Sequence, residues 1–187
     1  GSIAPLEDCY SPQLFPGVKN AKNEFSIIIK WLKEGGVDGY ILETMNNIVE
    51  TQTCLEVLQD YKLPVWVSFN LSDSYHIQSG ETLENAINMT ENFDVDYILL
   101  NCNPIERTNS GLKIMASKCS SWGIYPNLGI GEPSPDGVIP GIGESTTEEF
   151  EEIDYGVVQY PDNDKPYSYM REWLAFENSS PASSDFL

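Results

Sequence analysis

The segment LLNCNP, residues 99–104, is an apolar run that ends in an amide, a thiol, a second amide and a proline. A short apolar run bounded in this way indicates a buried strand, and its polar residues mark the end of that strand. Cys102 then has two interpretations. A cysteine packs well in a core as a small hydrophobic residue. In α/β proteins, however, ligands bind at the carboxyl ends of strands, so Cys102 is also a candidate metal ligand.

The same arrangement of an apolar run followed by an amphipathic helix recurs on both sides of this segment. Strands are predicted over residues 38–45, 65–69, 95–102 and 123–126. Helices are predicted over residues 23–33, 49–61, 81–93 and 105–119. Strands of a parallel sheet are nearly continuously apolar because helices cover both faces of the sheet. The sequence therefore predicts an α/β fold with a parallel sheet.

Each predicted strand finishes on polar or metal-binding side chains. These ends are Glu43-Thr44, Ser68-Phe69-Asn70, Asn101-Cys102-Asn103 and Pro126-Asn127. In an α/β barrel the carboxyl ends of the strands build the active site. A doubly wound sheet also binds ligands at strand ends, but it usually carries a glycine-rich phosphate loop that opens a helix. The glycines that follow the last predicted strand lead into prolines instead, so no phosphate-binding loop is predicted.

Composition narrows the class of protein further. The 187 residues are enough for one domain with its own core. The formal net charge of −19 would repel phosphate backbones, which predicts that the chain does not bind nucleic acid. No apolar run is long enough to span a membrane, and Gly1-Ser2-Ile3-Ala4-Pro5 has no basic region of a signal peptide. Four cysteines without a C-x-x-C pair are typical of reduced thiols, which predicts a cytoplasmic protein.

Five segments together resemble the homocysteine S-methyltransferase family. They are GSIAPL (1–6), DGYILETM (38–45), PVWVSFNL (64–71), YILLNCNP (97–104) and YPNLGIGEPSPDG (125–137). Their order and spacing match the family over residues 1 to about 145. The resemblance implies a (β/α)8 TIM barrel of which this chain holds about strands three to seven, with GSI ending the third strand and YPN ending the seventh.

The resemblance also implies a site and a reaction. Cys102 matches the first of three cysteines that hold a catalytic zinc, and Glu43 matches the carboxylate that receives the amino group of homocysteine. Zinc deprotonates a coordinated thiol, so homocysteine would attack as a thiolate. The methyl donor would be a sulfonium compound, S-methylmethionine or S-adenosylmethionine, and the product methionine. Further substrate-binding candidates are Thr44, Ser68, Asn101 and Asn127.

The chain departs from the family pattern at both ends. The other two zinc ligands of the family form an adjacent Cys-Cys pair, and this sequence contains no such pair. The first two strands have no counterpart before Gly1. Residues 1–176 are predicted to form a partial barrel domain with an acidic loop rich in glycine and proline at about 129–165, a helix over 169–176 and a polar tail over 177–187. A partner, or a segment outside this sequence, would complete the barrel.

Several alternatives stay open at this point. The chain is either an enzyme of this family or a catalytically inactive relative, which lacks the Cys-Cys ligands and serves as a small-molecule-binding or structural subunit. Glu43 either binds substrate or caps the next helix near Asn46 and Asn47. Asn101 and Asn103 either orient substrate or hold the loop by hydrogen bonds.

Overall fold

The computed structural model describes residues 1–127 and the backbone of two short segments, 157–158 and 174–178. Strands and helices alternate along the chain. The elements are β1 (Ser2–Ile3), a 3-10 helix (Pro12–Leu14), α1 (Val18–Glu34), β2 (Tyr40–Met45), α2 (Ile48–Leu58), β3 (Val65–Phe69), α3 (Leu83–Thr90), β4 (Tyr97–Asn101), α4 (Ile105–Lys118), β5 (Ser121–Tyr125), β6 (Val157–Val158) and β7 (Leu174–Asn178). The predicted α/β fold is confirmed.

The strands form one sheet in the order β1-β2-β3-β4-β5-β7-β6. The first five strands pair with one another in parallel, which confirms the predicted parallel sheet. Each helix between them therefore carries the chain one strand further in the same direction. Among β1–β5 there is no reversal of strand order of the kind that makes the ligand crevice of a doubly wound sheet.

The end of the chain differs from the sequence prediction. Residues 174–178 form β7, which pairs antiparallel with β5, whereas a helix was predicted over 169–176. In the segment LAFEN three apolar residues are followed by two polar ones, and such a short apolar stretch fits a strand as well as a helix. β7 includes the first two residues of the predicted polar tail. The rest of that tail, and all of the acidic loop except residues 157–158, lie outside the described residues.

The two faces of the sheet have different characters. One face packs against α1–α4 and forms the core, in which Leu42, Val67 and Leu100 are fully buried. On the other face, the strand register places Ile41 beside Trp66, Trp66 beside Tyr97, and Asn101 beside Tyr125. Apolar and aromatic side chains therefore lie near the amino ends of the strands on this second face, and polar side chains lie near the carboxyl ends.

No helix within the described residues combines the length and the apolar character that a membrane span requires.

Candidate active site

The site begins at an irregularity in β2. The pairing of β2 with β3 shifts register between Leu42 and Met45, so that Glu43 and Thr44 occupy a bulge. Bulges redirect side chains at strand ends and are frequent beside active sites. The Tyr125 hydroxyl of β5 donates to Glu43 Oε1 at 3.1 Å, and the Ser2 hydroxyl of β1 donates to Glu43 Oε2. The carboxylate of Glu43 is thus held by two hydroxyl groups from two other strands.

Asn101, the last residue of β4, connects three strands through its side-chain amide. Its Oδ1 accepts from the Thr44 backbone N–H at 3.1 Å and from the Ser68 hydroxyl at 2.6 Å. Its Nδ2 donates to Thr44 Oγ1 at 2.7 Å and to Cys102 Sγ at 3.3 Å. The amide of this buried residue is therefore fully used by the protein.

Two residues of the site have left-handed backbone conformations. Thr44 has φ 58° and Cys102 has φ 53°, a region that costs about 1–3 kcal/mol for a residue other than glycine. The cost is higher for a β-branched residue such as Thr44. Thr44 Oγ1 donates to Cys102 Sγ at 3.7 Å, so the two strained residues contact each other. Strain of this kind clusters at functional sites.

Cys102 presents its thiol at the edge of the site. The residue is half-buried, and two donors, Asn101 Nδ2 and Thr44 Oγ1, face its sulfur. Its carbonyl oxygen accepts from Asn70 Nδ2 at 2.9 Å. Both the backbone and the sulfur of Cys102 are therefore fixed by neighbouring strand ends.

Asn103 and Asn127 behave differently from each other. Asn103 is fully buried and accepts from the Leu71 backbone N–H at 2.7 Å, while its carbonyl accepts from the Asn127 backbone N–H at 3.0 Å. Asn103 thus holds two strand-end loops together. Asn127 is 7% exposed, and its Nδ2 has no hydrogen-bond partner within the described part of the chain. Buried donors nearly always have a hydrogen-bond partner, so Nδ2 is available to a group that lies outside the described residues.

Tyr125 and Ser2 belong to the site although they were not among the predicted residues. Burial raises the pKa of the Tyr125 hydroxyl above its usual range. The neighbouring Glu43 carboxylate raises this pKa further, and a hydrogen bond with Ser68 lowers it. The Tyr125 hydroxyl therefore stays protonated and can donate a hydrogen bond to Glu43. The segments GSI and YPN already marked strand ends in the sequence, which is the only signal that could have pointed to these two residues.

The remaining cysteines divide into one near the site and two away from it. Cys9 is half-buried in the loop after β1, where Asn46 Nδ2 donates to its carbonyl at 3.0 Å. Burial raises the pKa of the Cys9 thiol, and the nearby Asp8 and Cys102 raise it further. Cys54 is fully buried in the core. Burial raises the pKa of Cys119 to about 11.

The alternative role for Glu43 as a helix cap does not occur. α2 is capped by Asn47, whose side chain accepts from the Glu50 backbone N–H at 2.7 Å.

A zinc site requires more donors than this part of the chain supplies. Among the described residues no group of three or more histidine, cysteine and acidic side chains is placed to hold a metal ion. Cys102 fits as one soft ligand for zinc, but zinc sites in proteins have three or four protein ligands. The described residues alone therefore do not fit a complete zinc site.

Polar side chains converging at the carboxyl ends of parallel strands define an α/β protein of the kind whose active site lies at that edge. The family model described as homocysteine S-methyltransferase matches residues 1–174. The chain therefore belongs to the homocysteine S-methyltransferase family, as its sequence motifs indicated.

Similar proteins include plant and bacterial methyltransferases. Homocysteine S-methyltransferase 2 of Arabidopsis thaliana is 36% identical over 103 residues, which are 52% of this chain and 31% of that protein. Selenocysteine Se-methyltransferase of Brassica oleracea var. italica is 34% identical over 106 residues, 54% of this chain and 30% of that protein. The metallated form of the homocysteine methyltransferase MmuM from Escherichia coli superposes with a TM-score of 0.65 at 25% identity, covering 69% of this chain and 48% of that structure. The chain spans about a third of the length of the curated relatives it matches.

Proposed function

We propose that this chain forms the homocysteine-binding part of a homocysteine S-methyltransferase, in which a homocysteine thiol accepts a methyl group to give methionine. The observation that carries the proposal is the convergence of Thr44, Asn101 and Cys102, next to Glu43, at the carboxyl ends of β2 and β4 in a member of this family. Glu43 would receive the ammonium group of homocysteine. Thr44, Ser68 and Asn127 would line the same pocket.

We propose further that β1–β5 are consecutive strands of a barrel, corresponding to its strands three to seven. Neighbouring strands lie about 4.8 Å apart, so β2 and β5 would be roughly 14 Å apart across a flat sheet. Their side chains nevertheless meet, since the Tyr125 hydroxyl is 3.1 Å from Glu43 Oε1. A sheet that curves toward its polar face brings these side chains together, and such curvature is what barrel closure requires.

We propose that one further strand pairs in parallel with the outer edge of β1, and that the helix next to this strand covers the exposed side of α1. Within the described residues β1 pairs on one side only, with β2. Lys22 of α1 contacts Glu56 of α2 at 2.7 Å, and Trp31 lies about two and a half turns later on the opposite side of α1. Trp31 is 66% exposed and Ile27 is 43% exposed, which leaves an apolar surface beside an unpaired strand edge.

The substitution Trp31→Glu, which introduces a charge into this apolar surface, tests it, and Lys30→Glu, at an exposed position of the same helix, is the control. If a separate chain supplies the missing strand and helix, light scattering should show that only Trp31→Glu lowers the mass of the assembly. If the same polypeptide supplies them, only Trp31→Glu should lower the urea midpoint of unfolding. Equal behaviour of the two variants in both measurements would contradict the proposal.

Zinc is proposed as the metal of the assembled site, with Cys102 as one ligand. Bound zinc keeps a coordinated thiol deprotonated at neutral pH. Because the described residues contain no group of three or more possible ligands, further ligands would have to come from outside them. The residues of this chain would bind homocysteine and orient its sulfur, and holding the reacting groups in the right geometry accelerates the reaction. A cationic sulfonium donor, S-methylmethionine or S-adenosylmethionine, suits a chain with a formal net charge of −19.

The deciding experiment measures zinc content and methyl transfer together. Protein purified reduced and without chelator is expected to hold about one zinc per site, which Cys102→Ala should remove and Cys119→Ala, at a half-buried position outside the site, should not. With zinc supplied, homocysteine and each sulfonium donor should yield methionine. Failure with every donor would contradict the enzymatic proposal, and homocysteine binding without turnover would identify the inactive relative instead.

A further inference from the structure

The Tyr125 hydroxyl contacts the carboxylate proposed to bind the substrate amine. It donates to Glu43 Oε1 at 3.1 Å from a strand three positions away in the sheet. We infer that Tyr125 is a positioning residue for homocysteine binding, which holds the Glu43 carboxylate in the orientation that receives the ammonium group. This inference rests on the proposed function, because it assigns the role of Tyr125 through the substrate contact of Glu43.

Tyr125 is better placed for this role than the other donor to Glu43. Ser2 is exposed and lies on the two-residue strand β1 at the edge of the sheet. Tyr125 is half-buried, lies opposite Asn101 in the ladder of β4 and β5, and is followed by the buried residues Pro126 and Asn127. Its ring is therefore fixed by the sheet, and its hydroxyl can define one orientation of the Glu43 carboxylate.

The two hydroxyl groups leave room for the substrate. One donor reaches each carboxylate oxygen of Glu43, and each oxygen has further lone pairs for the N–H groups of an ammonium ion. Without the Tyr125 hydroxyl, Oε1 would lose its fixed donor and the Glu43 side chain would have to be ordered by the substrate itself. That loss should weaken the binding of ligands with an amino group and leave ligands without one unchanged.

The test compares L-homocysteine with 4-mercaptobutanoate, which has the same thiol and carboxylate but no amino group. Binding of both ligands is measured by calorimetry on the reduced, zinc-supplied protein and on Tyr125→Phe. Tyr125→Phe is expected to weaken homocysteine binding about tenfold, the typical effect of one hydrogen bond to a charged group, and to leave 4-mercaptobutanoate binding unchanged. Tyr97→Phe, the same chemical change near the amino ends of the strands on this face, is expected to alter neither.

A double-mutant cycle separates positioning from a general effect on the pocket. In the Glu43→Gln background, Tyr125→Phe should have little further effect on homocysteine, because the contact it removes acts through Glu43. Equal weakening of both ligands, additive effects of the two substitutions, or no effect on homocysteine would each overturn the inference while the proposed function stands. No homocysteine binding by the unchanged protein would overturn the proposed function, and this inference with it.

Discussion

Replacement of Asn101 by alanine should destabilise the protein by about 3 kcal/mol. The substitution removes the acceptor of two buried donors, the Thr44 backbone N–H at 3.1 Å and the Ser68 hydroxyl at 2.6 Å. A buried donor left without a partner costs about 1–3 kcal/mol. The substitution also releases Thr44 and Cys102, whose left-handed conformations the amide supports. The total is a large part of the roughly 5–15 kcal/mol that stabilises a typical domain.

Urea denaturation followed by circular dichroism measures this loss directly. With a slope of about 2 kcal/mol/M, the midpoint should fall by about 1.5 M. The matched control is Asn88→Ala, the same chemical change at an exposed position of α3, which should change stability by less than about 0.5 kcal/mol. If Asn101→Ala lowered the free energy of unfolding by less than about 1 kcal/mol, the hydrogen bonds of this amide would not be what holds the three strand ends together, and the role assigned to Asn101 would be wrong.

Two further measurements follow from the pKa shifts. Burial raises the pKa of Cys119 to about 11, so the rate of its alkylation by iodoacetamide should rise about tenfold per pH unit below pH 11. Fully buried Cys54 should stay unlabelled. A rate for Cys119 that levels off near neutral pH, followed by mass spectrometry, would refute this. Burial also raises the pKa of Glu50, so its carboxyl group stays protonated to higher pH in the folded state than in the unfolded chain. The free energy of unfolding should therefore fall as the pH rises from about 4.5 through the folded-state pKa. Glu50→Gln should therefore gain stability relative to the unchanged protein between pH 4.5 and neutrality in urea denaturation, and a constant difference would contradict the shift.

The fold was predictable where the apolar pattern was unambiguous. β3 begins and ends at the predicted residues, 65 and 69, and the strand ends at residues 43–44 and 101–103 lie together at one edge of the sheet as predicted. The start of α1 was missed by five residues, because Val18 to Lys22 are mostly polar and show no apolar period. β7 was missed because a short apolar stretch fits a strand or a helix, and the partner strand decides between them.

The contacts within the site were beyond the reach of the sequence for a different reason. Tyr125 meets Glu43 although two strands of the sheet lie between them, and no pattern along the chain encodes that contact. The left-handed conformations of Thr44 and Cys102 are equally hidden, since neither residue type signals them. Both features arise from pairing between strands that lie far apart in the sequence.

The segment Asn101-Cys102-Asn103 can now be divided between structure and chemistry. The Asn101 amide uses all its hydrogen-bonding capacity on Thr44, Ser68 and Cys102, and the Asn103 side chain is fully buried and accepts from the Leu71 backbone. Cys102 between them is the one residue of the three that is not fully buried. A core cysteine such as Cys54 needs no such support and lies within a helix. At Cys102, by contrast, the backbone is strained, and the buried amides of Asn101 and Asn70 donate to its sulfur and its carbonyl oxygen. This is the arrangement expected when the position of a sulfur atom matters for binding.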